Sequence, residues 1–408
     1  MLKKLNKFGP GLLVTAAFIG PGTVTTASVA GASFGFTLLW VVIFSICATI
    51  ILQEMTSRLG LISRSGLGEA IRTIFKSRIL TVFSASLVVA AISFGNAAFE
   101  TGNIIGAAIG LEALTSISPK FWSLFVGASA LALLASGTYR IIERVLIAMV
   151  GIMSLVFTLT AIIVRPDISN LFSGIFMPHI PAGALVTAIA LIGTTVVPYN
   201  LFLHSSSVQE KWSEDITRRK ALAETRLDTV ISISVGGLIT LAIVATAAAA
   251  FFAHGIEIKN AGMMANQLGP LLGPAAKYFF ALGLFSAGLT SAITAPLAAA
   301  YATSGVLGWR QGMKDRKFRV VWIFIVLIGM IMAIMGKRPI AAIVFAQAAN
   351  GILLPFIAIF LLVVMNRREL LGDWTNGFAA NILGIIVVFI TAGLGIFQLL
   401  KVIGLVGS

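Results

Sequence analysis

The sequence predicts an all-α integral membrane protein, a single transmembrane domain over residues 1–408 with eleven spanning helices. Three observations carry that prediction. Hydrophobic residues make up 58% of the chain and charged residues only 11%, about half the share of a water-facing domain. The apolar residues come in stretches of the roughly 20 residues that a hydrocarbon core about 30 Å thick requires. The 29 Lys and Arg outnumber the 15 Asp and Glu, for a net charge of +14, and fall in short runs between those stretches. That spacing suits topology signals and excludes a nucleic-acid-binding domain. Cys47 is the sole cysteine and no Gly-Lys-Ser/Thr loop occurs, so an intrachain disulfide, a multi-cysteine metal centre, a resident cofactor and nucleotide-driven transport are not expected.

The first stretch, 8–31, follows the basic segment Met1–Lys7, but no small-residue cleavage site closes it. It reads as a span and not as a leader. Its midpoint carries Gly20-Pro21-Gly22-Thr23, a helix breaker. Stretches 37–59, 79–110, 121–138 and 141–164 follow. Glu54 and Arg58 in the second form an i, i+4 pair read as a local ion pair, and Glu143 and Arg144 open the fifth at the interface. In the third, Asn96, Glu100 and Asn103 share one helical face, and an intramembrane carboxylate marks a functional position. The sixth stretch, 183–210, is interrupted at Val197-Pro198-Tyr199-Asn200, just after Gly193-Thr194-Thr195. Lys211–Arg226 then reads as a solvated, mixed-charge connection. The remaining stretches are 225–253, 275–304, 319–336, 339–366 and 377–400. The eighth holds a small-residue run from Ser286 through Thr290 and Ser291 to Pro296, suited to close helix packing.

Loop charge orients these spans. With the N-terminus inside, 22 of the 29 cations fall on cytoplasmic segments and the other 7 outside. Lys and Arg accumulate on the cytoplasmic side, so the N-terminus is expected in the cytoplasm and the C-terminus outside, in the cell (inner) membrane.

The two breaks occupy corresponding places, the first helix of each of two five-span repeats, about 8–164 and 183–366, with an extra helix at about 377–400. An odd repeat length inverts the second copy. Unwinding frees backbone N–H and C=O groups that hydrocarbon cannot satisfy, so a break must be buried in protein or line a cavity where a substrate satisfies them. A matched pair of breaks is the best sequence pointer to a transporter binding site. The candidate substrate-binding residues are Gly20, Gly22, Thr23, Thr195, Val197, Tyr199 and Asn200.

The run Phe8-Gly9-Pro10-Gly11-Leu12-Leu13-Val14, then Ala30-Gly31-Ala32, Ser33-Phe34-Gly35-Phe36 and Trp40, resembles the Nramp family of divalent metal transporters. So does Asn200-Leu201-Phe202-Leu203-His204-Ser205 and, more loosely, 283–300. The resemblance covers nearly the whole chain. It implies a LeuT-like inverted-repeat fold and proton-coupled uptake of a divalent cation by a secondary transporter, not an enzyme. The tenth span's Gln347, ahead of Asn350 and Pro355, falls where a family Gln lines the site. On the family's proton route, two acids three residues apart fall on Glu100 and Asn103, and a histidine of the sixth helix falls on His204. The working positions depart from the family pattern. Asp-Pro-Gly-Asn has become Gly20-Pro21-Gly22-Thr23, and Met-Pro-His-Asn has become Val197-Pro198-Tyr199-Asn200. The usual Asp, Asn and Met ligands are replaced, and no metal ligands are assigned here.

The resulting set is neutral: hydroxyls of Thr23 and Tyr199, the Asn200 amide, and carbonyls freed near Phe18 and Thr195. Mn²⁺ and Fe²⁺ want anionic oxygen and, for the softer ions, sulfur or imidazole, whereas Mg²⁺ keeps most of its water. A second reading is a small organic solute such as an amino acid, its carboxylate on the half-helix amides after Gly20-Pro21-Gly22. A third is a non-transporting membrane sensor. The expected partners are the lipid bilayer, a small substrate and protons, with no nucleic acid.

Overall fold

A computed structural model describes residues 9–75, 77–115, 117–136, 139–164, 167–212, 217–258, 263–264, 268, 272–310, 312–336 and 339–402, and no strand occurs among them. The basic segment Met1–Lys7 lies outside the described residues, as does the side chain of Glu143.

The first expected span is two helices, α1 (Pro10–Phe18) and α2 (Pro21–Phe34). Then come α3 (Leu39–Ser63), α4 (Leu67–Ile74), α5 (Arg78–Thr115), α6 (Pro119–Ala135), α7 (Tyr139–Val164) and α8 (Ile168–Phe176). The sixth expected span is again a pair, α9 (Leu185–Thr195) and α10 (Pro198–Lys211). The chain continues with α11 (Arg218–Ala250), α12 (Ala276–Leu307), α13 (Arg316–Met335), α14 (Pro339–Met365) and α15 (Phe378–Val402). Among the described residues, 8 helical stretches are long and apolar enough to cross a membrane, counting α9 and α10 as one, and α6 is a shorter apolar helix.

Proline sets where each broken helix resumes. It cannot donate to the helix ladder but suits a first turn, and it pushes the residue before it into extended backbone. Gly20 is extended (φ −112°, ψ −175°) ahead of Pro21, and Val197 (φ −80°, ψ 122°) ahead of Pro198. The unwound residues are therefore Ile19-Gly20 and Val196-Val197. Pro21-Gly22-Thr23 and Pro198-Tyr199-Asn200, expected within the breaks, already form the first turns of α2 and α10.

Two short helices were unforeseen, because neither is long enough to show a span. The Glu69 side chain accepts the Gly66 N–H at the start of α4 (3.0 Å), and Asp167 caps α8 through the Ser169 N–H (2.8 Å). The expected solvated, mixed-charge connection is helical at both ends: Lys211 ends α10, and Arg218–Arg226 form the first turns of α11.

The long helices α5 and α12 pack along each other as the central pair. Small residues permit this, since a β-carbon on Gly288 would meet the Asn103 carbonyl at 2.8 Å. Half-helix α1 packs on α10 while α2 packs on α9, so the two broken helices cross antiparallel, enclosed by α3, α5, α11, α12 and α14. From Thr187 to Val208 every described residue of this broken pair is buried. The periphery is the reverse: Phe378 and Phe389 of α15 are 84% and 78% exposed, as lipid-facing side chains are.

At one end, Arg58 of α3 ties three elements together. It donates to Glu54 (3.1 Å), to the Trp374 carbonyl (2.6 Å) and to Asn376 (2.7 Å), and Arg226 of α11 reaches the same Glu54 (2.8 Å). The expected local pair is thus the centre of a wider network.

Candidate functional site

The end of α1 takes the carbonyls of Ala17 and Phe18 off the helix ladder, Phe18 keeping only the Gly20 N–H at 3.0 Å. Side chains from other elements take them. The Thr23 hydroxyl donates to the Phe18 carbonyl and lies 2.7 Å from the Thr194 hydroxyl of α9. Tyr199 OH reaches the Ala17 carbonyl at 3.3 Å and Asn200 Nδ2 reaches Val14 at 3.4 Å. Ser291 Oγ of α12 lies 3.5 Å from the Ala17 carbonyl, and across the second break Thr49 Oγ1 of α3, which bonds to the Ser45 carbonyl at 2.7 Å, lies 3.3 Å from the Thr195 carbonyl. The freed carbonyls expected to await a substrate are therefore held by hydroxyls and amides of the chain itself.

Two glycines let neighbours lie directly on the first break. A β-carbon on Gly22 would run into the Gln347 side-chain amide. One on Gly20 would press on the Ser291 hydroxyl and stand 3.4 Å from Asn103 Oδ1. Asn103 in turn donates from Nδ2 to Glu100 Oε2 at 3.2 Å. An unbroken line of contacts runs from the first break through Asn103 to the one carboxylate of this region, on α5. The Phe99 ring meets the Tyr199 ring edge-on, with centroids 5.5 Å apart, so the same helix also touches the second break. Behind Glu100 lies α13, where a β-carbon on Gly329 would stand 2.9 Å from Glu100 Cβ.

Thr23, Glu100, Asn103, Tyr199, Asn200 and Gln347 are each no more than 1% exposed. Glu100 Oε1, Asn103 Oδ1, Asn200 Oδ1, Gln347 Oε1 and Asn96 Oδ1 have no hydrogen-bond partner. A buried polar group left unpaired costs about 1–3 kcal/mol, so this cluster of oxygens calls for a ligand bearing positive charge or donors.

Gly20, Gly22, Thr23, Tyr199, Asn200, Gln347, Glu100 and Asn103 come together. Thr195 and Val197 sit differently. The Thr195 hydroxyl turns back to the Leu191 carbonyl (3.0 Å), so Thr194 is the residue facing Thr23, while buried Val197 offers only apolar surface. His204, one turn beyond Asn200 on α10, pairs through Nδ1 with Gln53 of α3 at 3.0 Å. No hydrogen bond described here joins it to Glu100. Thr49 and Gln53 escaped the sequence reading because each is a lone polar residue in an apolar run, though their i, i+4 spacing on one face was visible. Asp228 also escaped. Its carboxylate accepts the Gly11 N–H at 2.8 Å and caps α1 from α11.

Among the described residues no group of three or more His, Cys, Asp or Glu is placed to hold a metal ion. A recess of about 650 Å³ opens at the far end of α2, between α8 and α11, and does not include the breaks.

The family model for natural resistance-associated macrophage protein-like proteins (Nramp) matches residues 11–401. A divalent metal cation transporter MntH of Yersinia pestis (strain Pestoides F) is 30% identical over 406 residues, covering 98% of this chain and 96% of the relative. Among solved structures, a mutant of the Eremococcus coleocola manganese transporter superposes with a TM-score of 0.79 at 21% identity, covering 100% of this chain and 90% of that one. The nucleobase-cation-symport-1 family transporter Mhp1 superposes with a TM-score of 0.62 at 14% identity, covering 98% and 94%.

Proposed function

The chain belongs to the Nramp family of divalent metal cation transporters and shares its LeuT-like fold, and from that premise we propose that it carries a hard, oxygen-preferring divalent cation, Mn²⁺ or Mg²⁺, by alternating access. The single observation that carries the choice of ion class is the buried cluster of unpaired oxygens beside the two breaks. Oxygen sets of this kind suit Mg²⁺ and Mn²⁺, whereas thiolate, thioether and imidazole favour the softer ions. Val197 supplies no sulfur, and the His204 imidazole is held through Nδ1 by Gln53 one turn beyond the second break, with Nε2 unpaired. One carboxylate with several neutral oxygens fits an ion that keeps part of its water.

The crowding of the first break argues against an organic zwitterion. Its carboxylate would need the amides that follow Gly20, and the Gln347 side chain already lies on Gly22 there. In this reading the repeats 8–164 and 183–366 move against each other about the antiparallel breaks, in the cell (inner) membrane with the N-terminus in the cytoplasm. Proton flow supplies the energy.

Purified protein in proteoliposomes, loaded with a metal-sensitive and a pH-sensitive dye, tests this. Mn²⁺ and Mg²⁺ influx accompanied by acidification is expected, with Cd²⁺ the poorer substrate. No influx of any divalent ion, together with thermal stabilisation by amino acids, overturns it.

A further inference from the structure

Asn96, Glu100 and Asn103 form a stripe along one face of α5, and each has a side-chain oxygen with no hydrogen-bond partner while being at most 1% exposed. The two breaks differ. Their carbonyls at Val14, Ala17, Phe18 and Thr195 are matched with Asn200, Tyr199, Thr23 and Thr49. Asn200 Oδ1 and Gln347 Oε1 stay unpaired at the breaks, but the carboxylate and two more unpaired amide oxygens lie in line on the neighbouring helix.

They are all acceptors, and one is a carboxylate. A proton on Glu100 would neutralise the carboxylate and pair Oε1 with one further oxygen. A metal cation also neutralises the charge that hydrocarbon disfavours, and it takes several oxygen ligands at once. Glu100 and Asn103 are already paired through Oε2 and Nδ2 at 3.2 Å, which fixes both side chains and leaves Oε1 and Oδ1 unused. Gly20 and Gly329 line the pair with backbone alone, on the α1–α2 break and on α13. The position vacated by a carboxylate in the break is filled by Ser291 and Asn103.

Resting on the reading that the chain carries a divalent cation, we propose that the cation is held beside the breaks on α5, with the Glu100 carboxylate as its charged ligand and the Asn103 amide oxygen as a neutral one. Asn96, one turn nearer the start of α5, is the next oxygen along the stripe. Thr23, Tyr199 and Asn200 then seal the breaks. Glu100 takes a ligand's role in place of the proton carrier's role that the family resemblance implies.

Mn²⁺ binding to the full-length protein in detergent, followed by calorimetry and Mn²⁺ electron paramagnetic resonance, separates the two. Glu100→Gln is expected to weaken binding by at least about 10–100-fold, the loss that removing even an outer partner of a metal site produces. Asn103→Leu weakens it less, and Glu100→Asp retains it. Melting curves without metal report whether each variant is folded. Should Glu100→Gln not fold, anomalous scattering from Mn²⁺ in wild-type crystals locates the ion directly, beside Glu100. Mn²⁺ affinity of a folded Glu100→Gln within about twofold of wild type, or anomalous density between Thr23 and Asn200, overturns the site while leaving metal transport standing. Failure of wild-type protein to move any divalent ion overturns the transport reading, and this site with it.

Discussion

Thr23 stands where the family resemblance implies an amide, and its hydroxyl joins the Phe18 carbonyl to the Thr194 hydroxyl. Both partners are buried, so Thr23→Val leaves the Thr194 hydroxyl unpaired at about 1–3 kcal/mol and the Phe18 carbonyl with the Gly20 N–H alone, whereas Thr23→Ser keeps both bonds. Thermal unfolding in detergent is expected to show a clear loss for the first and little change for the second. Gly20 gives a paired prediction. The vacated carboxylate cannot simply be restored, because Ser291 and Asn103 occupy its space. Gly20→Asp is therefore expected to destabilise, and Gly20→Asp with Ser291→Gly to recover stability and gain Mn²⁺ affinity in calorimetry. At this scale the sequence was read well where the residue type itself was unusual. Glu100, Gly20 and Asn200 stood out because polar or helix-breaking groups are rare in apolar runs. Thr194 and Ser291 did not, since hydroxyls inside helices more often bond back to their own backbone, as Thr195 does.

Between residue and molecule, the broken helices behave as four half-helices, each needing its own ends satisfied. Half-helix α1 has only 9 residues and no capping side chain of its own, so Asp228 of α11 supplies the cap from 217 residues away. Loss of a cap costs about 0.5–2 kcal/mol, and Asp228→Ala is expected to lower the melting temperature and loosen α1. Faster hydrogen exchange confined to residues 10–18 is the diagnostic sign. Apolar length placed the long helices, and proline placed the breaks to within two residues. The offset has a cause: proline opens the following helix, so the unwound residues lie just before it. Neither the cap by Asp228 nor α4 and α8 could be read, because partners distant in sequence and amphipathic helices of 8–9 residues leave no periodic signal.

For the molecule as a whole, the uneven distribution of Lys and Arg predicts which face is cytoplasmic. In a Cys47→Ser background, Lys4→Cys is expected to react with an impermeant thiol reagent only in broken cells or inverted vesicles, and labelling of intact cells would reverse the assigned orientation. The crossing of two broken helices inside a shell of long ones was legible as two matched interruptions. That the breaks satisfy their own carbonyls was not, since it depends on which side chains from α2, α3, α10 and α12 meet there.

The Arg58 network carries a further consequence. One arm is dry and the other wet: the Arg58 side chain is 6% exposed and the Arg226 side chain 51%, and both hold Glu54. Counter-ions screen solvated charges over about 10 Å at 0.1 M ionic strength but barely reach shielded ones. Raising salt on that face therefore weakens the tie between α3 and α11 while sparing the tie between α3 and the 374–376 segment. The two ends of one clasp answer to different solvents, and the osmotic and ionic state of the compartment it faces becomes an input to how readily those helices part.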